Sequence, residues 1–227
     1  MAHFRLTLSL LFSLSGLFHI QAQKNPVLFA GFDYYRHSDF TGDSFANING
    51  GIQLYQIGFF VPEIGYDLFW GHLEDRKNYT VEGDFIRSPD ILERDFNTSL
   101  FTLSPKLKLG NDDAFLTLGP KFHTGKVTAL GNYYVPNEEY NRYDLEERQR
   151  ISSRVSFWSF SIGFEAFLFE TDRFWFTFFL NYTNLDAGAA LSNLDFSHYG
   201  EKNYSGNTST VGLGLRFNYN PFSSEND

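Results

Sequence analysis

The chain contains no cysteine among its 227 residues. It therefore has no disulfide scaffold, and it is not a lipoprotein anchored through a modified cysteine. Long apolar runs are also missing: after the first 23 residues no stretch of ~18 apolar residues occurs, which argues against a helical membrane span. Basic residues number 18 against 27 acidic ones, so nucleic acid is not expected as a partner.

The first 23 residues have the pattern of a secretory signal peptide. Arg5 precedes an apolar run from Leu6 to Leu17, and a polar start follows Ala22. We therefore expect export, with cleavage near Ala22 or Gln23. Removal of this leader takes away one basic residue and leaves a net charge of about -10.

The rest of the chain is unusually aromatic. It includes most of the 27 Phe and 13 Tyr residues, far more than an average soluble domain of this size contains. We expect one domain over residues 24–222, followed by a short tail at 223–227. Something large and apolar must cover so many rings.

A hairpin over residues 100–124 shows the pattern that recurs along the chain. Its two strands alternate apolar and polar residues on either side of a turn at residues 110–113. Successive side chains of a strand point to opposite faces, so each of these two classes lies on its own face. One face is therefore apolar, and the other carries three lysines and a histidine: Lys106, Lys108, Lys121 and His123.

Six further strands show similar alternation and bring the expected total to eight. We place them at Val27 to His37, two between Gly50 and Leu73, one at Ser153 to Phe169, one at Phe174 to Asn184 and one at Ser209 to Asn220. The turn between the second and third strands is expected near residues 61–63 or 67–71. Residues 74–95, 128–150 and 185–207 are polar, acidic and tyrosine-rich, and we expect them to be long loops.

These features predict an all-β fold: an eight-stranded antiparallel up-and-down transmembrane β-barrel with short periplasmic turns and long extracellular loops. A soluble periplasmic ligand-binding barrel is the alternative, and it would turn the apolar face inward. Glycines on the polar face favour a crowded interior instead, because eight strands enclose room only for side chains.

The sequence resembles small porin-like outer-membrane β-barrel proteins over its whole mature length. The resemblance implies residence in the bacterial outer membrane, in contact with lipid and lipopolysaccharide, and insertion by the barrel assembly machinery. In that family the last strand ends in an aromatic residue that serves as the assembly signal, and Phe222 matches it. Here Phe222 lies five residues before the end of the chain.

The polar face should place charges inside the barrel. The acidic candidates are Asp33, Glu63, Asp67 and Glu165, and the basic ones are Lys106, Lys108, Lys121 and Arg216, with His123 beside them. Charges in a low-dielectric interior need partners, so we expect a paired network. The alternative is an ion or proton path through a narrow porin-like channel. No cofactor is predicted, and one isolated interior histidine gives no metal site.

The sequence predicts no catalytic residue. Barrel enzymes that deacylate lipid A show a His-x-Ser-Asn element near the end of a late strand, whereas residues 181–184 here read Asn-Tyr-Thr-Asn. The base and the serine nucleophile are missing. We therefore expect a non-catalytic protein with a structural or surface-interaction role. The long loops form either a solvated rim that faces lipopolysaccharide or a surface that meets an extracellular partner.

Overall fold

The structure is a computed structural model. It describes residues 25–37, 44–76, 80–82, 85–87, 90–111, 114–167, 173–186, 191, 193–196 and 209–222. The expected signal peptide and the tail at 223–227 lie outside the described residues. Within the described residues, no helix is long and apolar enough to cross a membrane.

The described residues form ten β-strands. They are β1 (Val27–His37), β2 (Ser44–Gln53), β3 (Phe60–Arg76), β4 (Thr80–Glu82), β5 (Phe85–Arg87), β6 (Ile91–Asn111), β7 (Ala114–Asn137), β8 (Arg142–Phe167), β9 (Phe174–Thr183) and β10 (Thr210–Tyr219). Eight of them form a closed ring in the order β1-β10-β9-β8-β7-β6-β3-β2, and every neighbouring pair is antiparallel. The predicted eight-stranded up-and-down barrel is confirmed, and β4 pairs with β5 as a separate two-stranded sheet.

The two ends of the barrel differ. At the end called here the turn end, the chain enters at Val27, leaves at Tyr219, and makes the connections at 54–59, 112–113 and 168–173. At the opposite end, the hairpin end, β3, β6, β7 and β8 extend well beyond the level at which β1, β2, β9 and β10 stop. The two barrel ends are therefore asymmetric as expected, and much of the extra length at the hairpin end is paired strand.

The region expected to be a long loop at 128–150 is mostly strand. β7 and β8 stay paired as far as Asn137 and Arg142, with one irregularity at Tyr133/Tyr134 and a tip at residues 138–141. Part of the expected loop at 74–95 likewise belongs to β3 and β6. Polar residues suggested a loop, but in a hairpin surrounded by water both faces can be polar without ending the strand pairing.

The expected positions of strands two and three were wrong. The turn between β2 and β3 lies at residues 54–59, and both predicted turn sites fall inside β3. β2 begins at Ser44, and its Asn- and Gly-rich sequence has low strand propensity, which hid it. Its asparagines, Asn47 and Asn49, face the barrel interior, where polar side chains find partners.

The outer face of the barrel is apolar around its whole circumference. Large apolar side chains on all eight barrel strands are 38–69% exposed. Representative members, one from each strand, are Phe32, Ile48, Leu68, Phe101, Leu116, Ile162, Leu180 and Leu213. We call this surface the apolar belt. The buried charged side chains of the same strands point the other way, into the lumen.

Candidate functional site

The structure places the nine interior candidates from the sequence inside the barrel. Their strands are β1, β3, β6, β7, β8 and β10, so the group spans the lumen. Eight of the nine are at most 7% exposed, and Lys121 is half-buried. Alternation along each strand is what turns them inward, because their neighbours in sequence belong to the apolar belt.

Five of these residues form a continuous chain of ion pairs, here called the charge chain. Lys108 Nζ lies 2.8 Å from Glu165 Oε2, and Lys106 Nζ lies 2.5 Å from Glu165 Oε1 and 3.4 Å from Glu63 Oε1. Arg216 Nη1 then donates to both Glu63 oxygens, at 3.1 and 3.0 Å. The charge chain ties β6, β8, β3 and β10 together across the lumen.

Asp33 is held by amides instead of by an ion pair. Its carboxylate accepts hydrogen bonds from the side-chain amides of Asn47, Asn49 and Asn181, at 2.9, 2.8 and 2.8 Å. Within the described residues Lys121 has no carboxylate at salt-bridge distance, and its ammonium lies 5.9 Å from the centre of the Phe179 ring. Four acids and four bases share the interior, but they are not matched one to one.

His123 connects an acid with a hydroxyl. Its Nδ1 lies 3.1 Å from Asp67 Oδ2, and its Nε2 lies 2.7 Å from Ser159 Oγ. The order Asp-His-Ser is that of a nucleophilic triad, and sequence reasoning missed Ser159 because only the β7–β8 register brings it opposite Lys121, beside the histidine.

Aromatic rings cover the histidine of this trio. The Phe157 ring stacks on the imidazole of His123 with centroids 4.5 Å apart, and the Phe69 ring meets it edge-on at 5.9 Å. Catalysis needs a site beside both nucleophile and oxyanion donors where the reacting carbonyl can sit. The trio therefore fits a buried polar network better than an active site.

Above the charge chain, toward the hairpin end, the lumen is filled by aromatic rings. Tyr35, Phe45, Phe69, Phe96 and Phe157 lie at most 7% exposed in one cluster, with ring centroids 4.9–6.1 Å apart. The alternating pattern predicted a polar interior and not this aromatic layer. The sequence did hold a clue. Phe69 and Phe157 are an even number of residues away from the charged residues of their strands, so they lie on the same inward face.

Part of the connection between β9 and β10 packs against the aromatic layer and extends it. Leu185, Leu191, Leu194 and Phe196 are buried against the aromatic layer. Gly131 on β7 makes the space for Phe196, since a Cβ atom there would lie 2.5 Å from the ring. These residues lie within the stretch expected to be a long polar loop.

Toward the turn end, cations pack on rings. Lys108 Nζ lies 3.9 Å from the centre of the Phe115 ring, and the Arg216 guanidinium lies 4.1 Å from Phe29 and 4.8 Å from Phe179. The space bordered by Glu63, Lys106, Lys121 and Arg216 has no room for a water molecule. In this part of the lumen the rings and the charge chain thus pack against each other.

No metal centre is formed by the described residues, among which no three His, Cys, Asp or Glu side chains converge. Phe222 lies after β10, with its ring 62% exposed. Its main-chain carbonyl accepts a hydrogen bond from the Asn25 amide at 3.3 Å, beside the seam between β1 and β10.

No protein-family model matches the chain, and no curated protein matches its sequence. Solved structures to which it is similar include Ail, the attachment invasion locus protein of Yersinia pestis, in complex with the heparin analogue sucrose octasulfate. There the identity is 9%, the TM-score is 0.36, and the alignment covers 88% of this chain and 99% of Ail. A second is the N-terminal β-barrel domain of Pseudomonas aeruginosa OprF, with 13% identity, a TM-score of 0.34, and coverage of 88% and 100%. Both are eight-stranded outer-membrane β-barrels. The barrel of this chain follows from its own strand pairing.

Proposed function

We propose that this chain is an exported, non-catalytic β-barrel of the bacterial outer membrane with a structural or surface-interaction role. The observation that carries the proposal is the apolar belt, which surrounds a barrel with a set of buried charged side chains in its interior. A continuous apolar surface of this extent is unfavourable in water, whereas lipid tails cover it at no cost.

The orientation follows from the two barrel ends. The turn end holds both ends of the barrel domain and short connections, as on the periplasmic side of such barrels, and the hairpin end then projects from the cell. In this arrangement lipid and lipopolysaccharide contact the apolar belt. The barrel assembly machinery would recognise β10 and Phe222. The main-chain carbonyl of Phe222 accepts a hydrogen bond from the Asn25 amide.

The tip of the β7–β8 hairpin is the surface best suited to a partner. Tyr140, Tyr143 and Leu145 are 63, 40 and 50% exposed there. The tip is held by pairing of Asn137 with Arg142 and by a hydrogen bond of 2.5 Å from the Asn137 amide to Asp144. Aromatic side chains on an ordered support give contact area at a low entropic cost.

Cell fractionation tests the location. The protein should be found in the outer-membrane fraction, resist carbonate extraction, and migrate faster unboiled than boiled on a denaturing gel. Recovery in the soluble periplasmic fraction would support the ligand-binding barrel and contradict the proposal.

Surface proteolysis tests the orientation. Protease added to intact cells should cut within residues 137–146 and leave the barrel protected, because that segment is the exposed tip of the hairpin. Cleavage there only after the periplasm is opened would mean that the hairpin end faces inward.

Adhesion of producing cells tests the surface role. The double variant Tyr140→Ser/Tyr143→Ser should reduce attachment of the cells to host-cell matrix, while Glu138→Gln/Glu139→Gln at the same tip serves as the matched control. If cells with either variant attach as well as cells with the unmodified protein, the interaction role is contradicted and the structural role is supported.

A further inference from the structure

The outer surface of β6, β7 and β8 changes from apolar to basic over four residues along the strands. Leu103, Phe122 and Trp158 are register partners in one row across the three strands. Four residues farther toward the hairpin end the corresponding row is Ser99, Lys126 and Arg154. At about 3.3 Å per residue the two rows are roughly 13 Å apart along the strands.

A shallow depression of about 690 Å³ lies at this boundary. Lys126 and Arg154 border it, together with the exposed hydroxyl side chains of Ser99, Thr124 and Ser156. Thr124 and Ser156 hydrogen-bond to each other at 2.8 Å. The depression therefore combines two cations with hydroxyl donors and opens beside the apolar belt.

Among the described residues, the two cations have no counter-charge in contact with them. Lys126 and Arg154 lie directly opposite each other in the β7–β8 register, and neither forms a salt bridge with a described residue. Like charges in directly opposed positions destabilise a sheet unless something neutralises them. On this face Asp95 is four residues beyond Ser99 on β6, and it already contacts His72 Nδ1 at 2.6 Å.

We infer that this depression binds the phosphate group of a phosphorylated membrane glycolipid. The acyl chains of such a lipid would lie along Leu103 and Trp158, and its phosphate would reach Lys126 and Arg154. Arginine binds phosphate through two parallel hydrogen bonds and lysine as a point charge. The inference rests on the proposed outer-membrane location and adds the residues and the headgroup chemistry of one lipid site.

Lipid retention in nanodiscs tests the inference. The full mature protein is reconstituted in phosphatidylcholine nanodiscs with bisphosphorylated lipid A, and lipid bound after ejection is counted by native mass spectrometry. Retention should fall at least about tenfold with the same lipid after removal of its phosphates, and also in Lys126→Gln/Arg154→Gln. Excess inorganic phosphate should not displace the lipid, because it has no acyl chains to contact the belt.

The controls separate this site from general charge. Arg142→Gln/Arg148→Gln removes the same two charges from the same hairpin, farther from the apolar belt, and should change retention less than about threefold. Lys126→Arg/Arg154→Lys keeps both charges and should retain the lipid.

Three results would overturn the inference: equal retention of dephosphorylated lipid, no loss in the glutamine variant, or an equal loss in the control variant. Failure of the proposed function is distinguishable, since a protein that is not a membrane barrel would not enter the nanodiscs or shift on heating.

Discussion

At the scale of single residues, the interior depends most on Glu165. This carboxylate is fully buried and contacts two ammonium groups, those of Lys106 and Lys108. Burying charges is unfavourable, and removing one partner leaves the others uncompensated, which makes such groups costly to change. Glu165 should therefore be among the most sensitive positions of the lumen.

We expect Glu165→Gln to destabilise the folded barrel by about 3 kcal/mol or more in urea unfolding from micelles, because two buried lysines lose their shared counter-charge. Glu139→Gln, at the exposed hairpin tip, is the control and should change stability by less than about 0.5 kcal/mol. Adding Lys108→Met to Glu165→Gln should recover part of the loss. Equal effects at Glu165 and Glu139 would mean that the charge chain is solvated.

Ser159 gives a second prediction at this scale. A fluorophosphonate probe should not label Ser159 in the folded protein, because the Phe157 ring stacked on His123 holds the imidazole in a packed interior instead of an open active site. Mass spectrometry of the treated protein measures this, with a serine protease in the same detergent as a positive control. Labelling that Ser159→Ala abolishes would show that the trio is an active site.

The sequence predicts the direction of the interior residues but not their partners. Alternation within one strand is enough to turn Asp33 or Lys106 inward. Pairing depends on strands far apart in the chain: Asn181 donates to Asp33 across 148 residues of sequence. One sequence without the register therefore could not place Asn181 beside Asp33 or Ser159 beside His123.

At the scale of elements, β1 and β10 are close to the positions predicted from sequence, and β2 is the main failure. β10 alternates apolar residues with glycine and arginine, so its pattern is clear, and it spans Thr210–Tyr219 against a predicted Ser209 to Asn220. β2 carries asparagine and glycine on its inward face and resembles a turn. The narrow lumen selects small and amide side chains, and that selection conceals the strand.

The buried part of the β9–β10 connection should stabilise the hairpin end. We expect Phe196→Ala to cost roughly 3 kcal/mol in urea unfolding, because the ring is 6% exposed and packs over Gly131 and Tyr133. Leu145→Ala, on the exposed hairpin tip, is the control. A loss of stability below about 1 kcal/mol for Phe196→Ala would show that this segment does not pack inside the hairpin end of the lumen.

The hairpin tip should depend on pH through Asp144. The hydrogen bond from the Asn137 amide, aided by Arg142, lowers the pKa of Asp144 below its ordinary value. The carboxylate therefore supports the tip above about pH 4, and this support is lost as the pH falls through the lowered pKa. NMR titration of Asp144 should show the low pKa, and Asn137→Ala should raise it; an unchanged pKa in that variant would assign the effect elsewhere.

At the scale of the whole molecule, two independent layers close the lumen. The charge chain fills the part nearer the turn end, and the aromatic layer with Leu191, Leu194 and Phe196 fills the part nearer the hairpin end. An open path needs both layers to move. This arrangement favours the closed barrel over the narrow channel that the sequence left as an alternative.

The unmodified protein should accordingly show no stable conductance in planar bilayers. Phe196→Ala should show no stable conductance either, because removing one ring beside the aromatic layer does not disturb the ion pairs of Lys106 with Glu63 and Glu165. Conductance should require damage to both layers, as in Phe196→Ala combined with Lys106→Met. A large, stable conductance in the unmodified protein that these changes do not alter would mean that water fills the lumen, and the channel function would then replace the one proposed here.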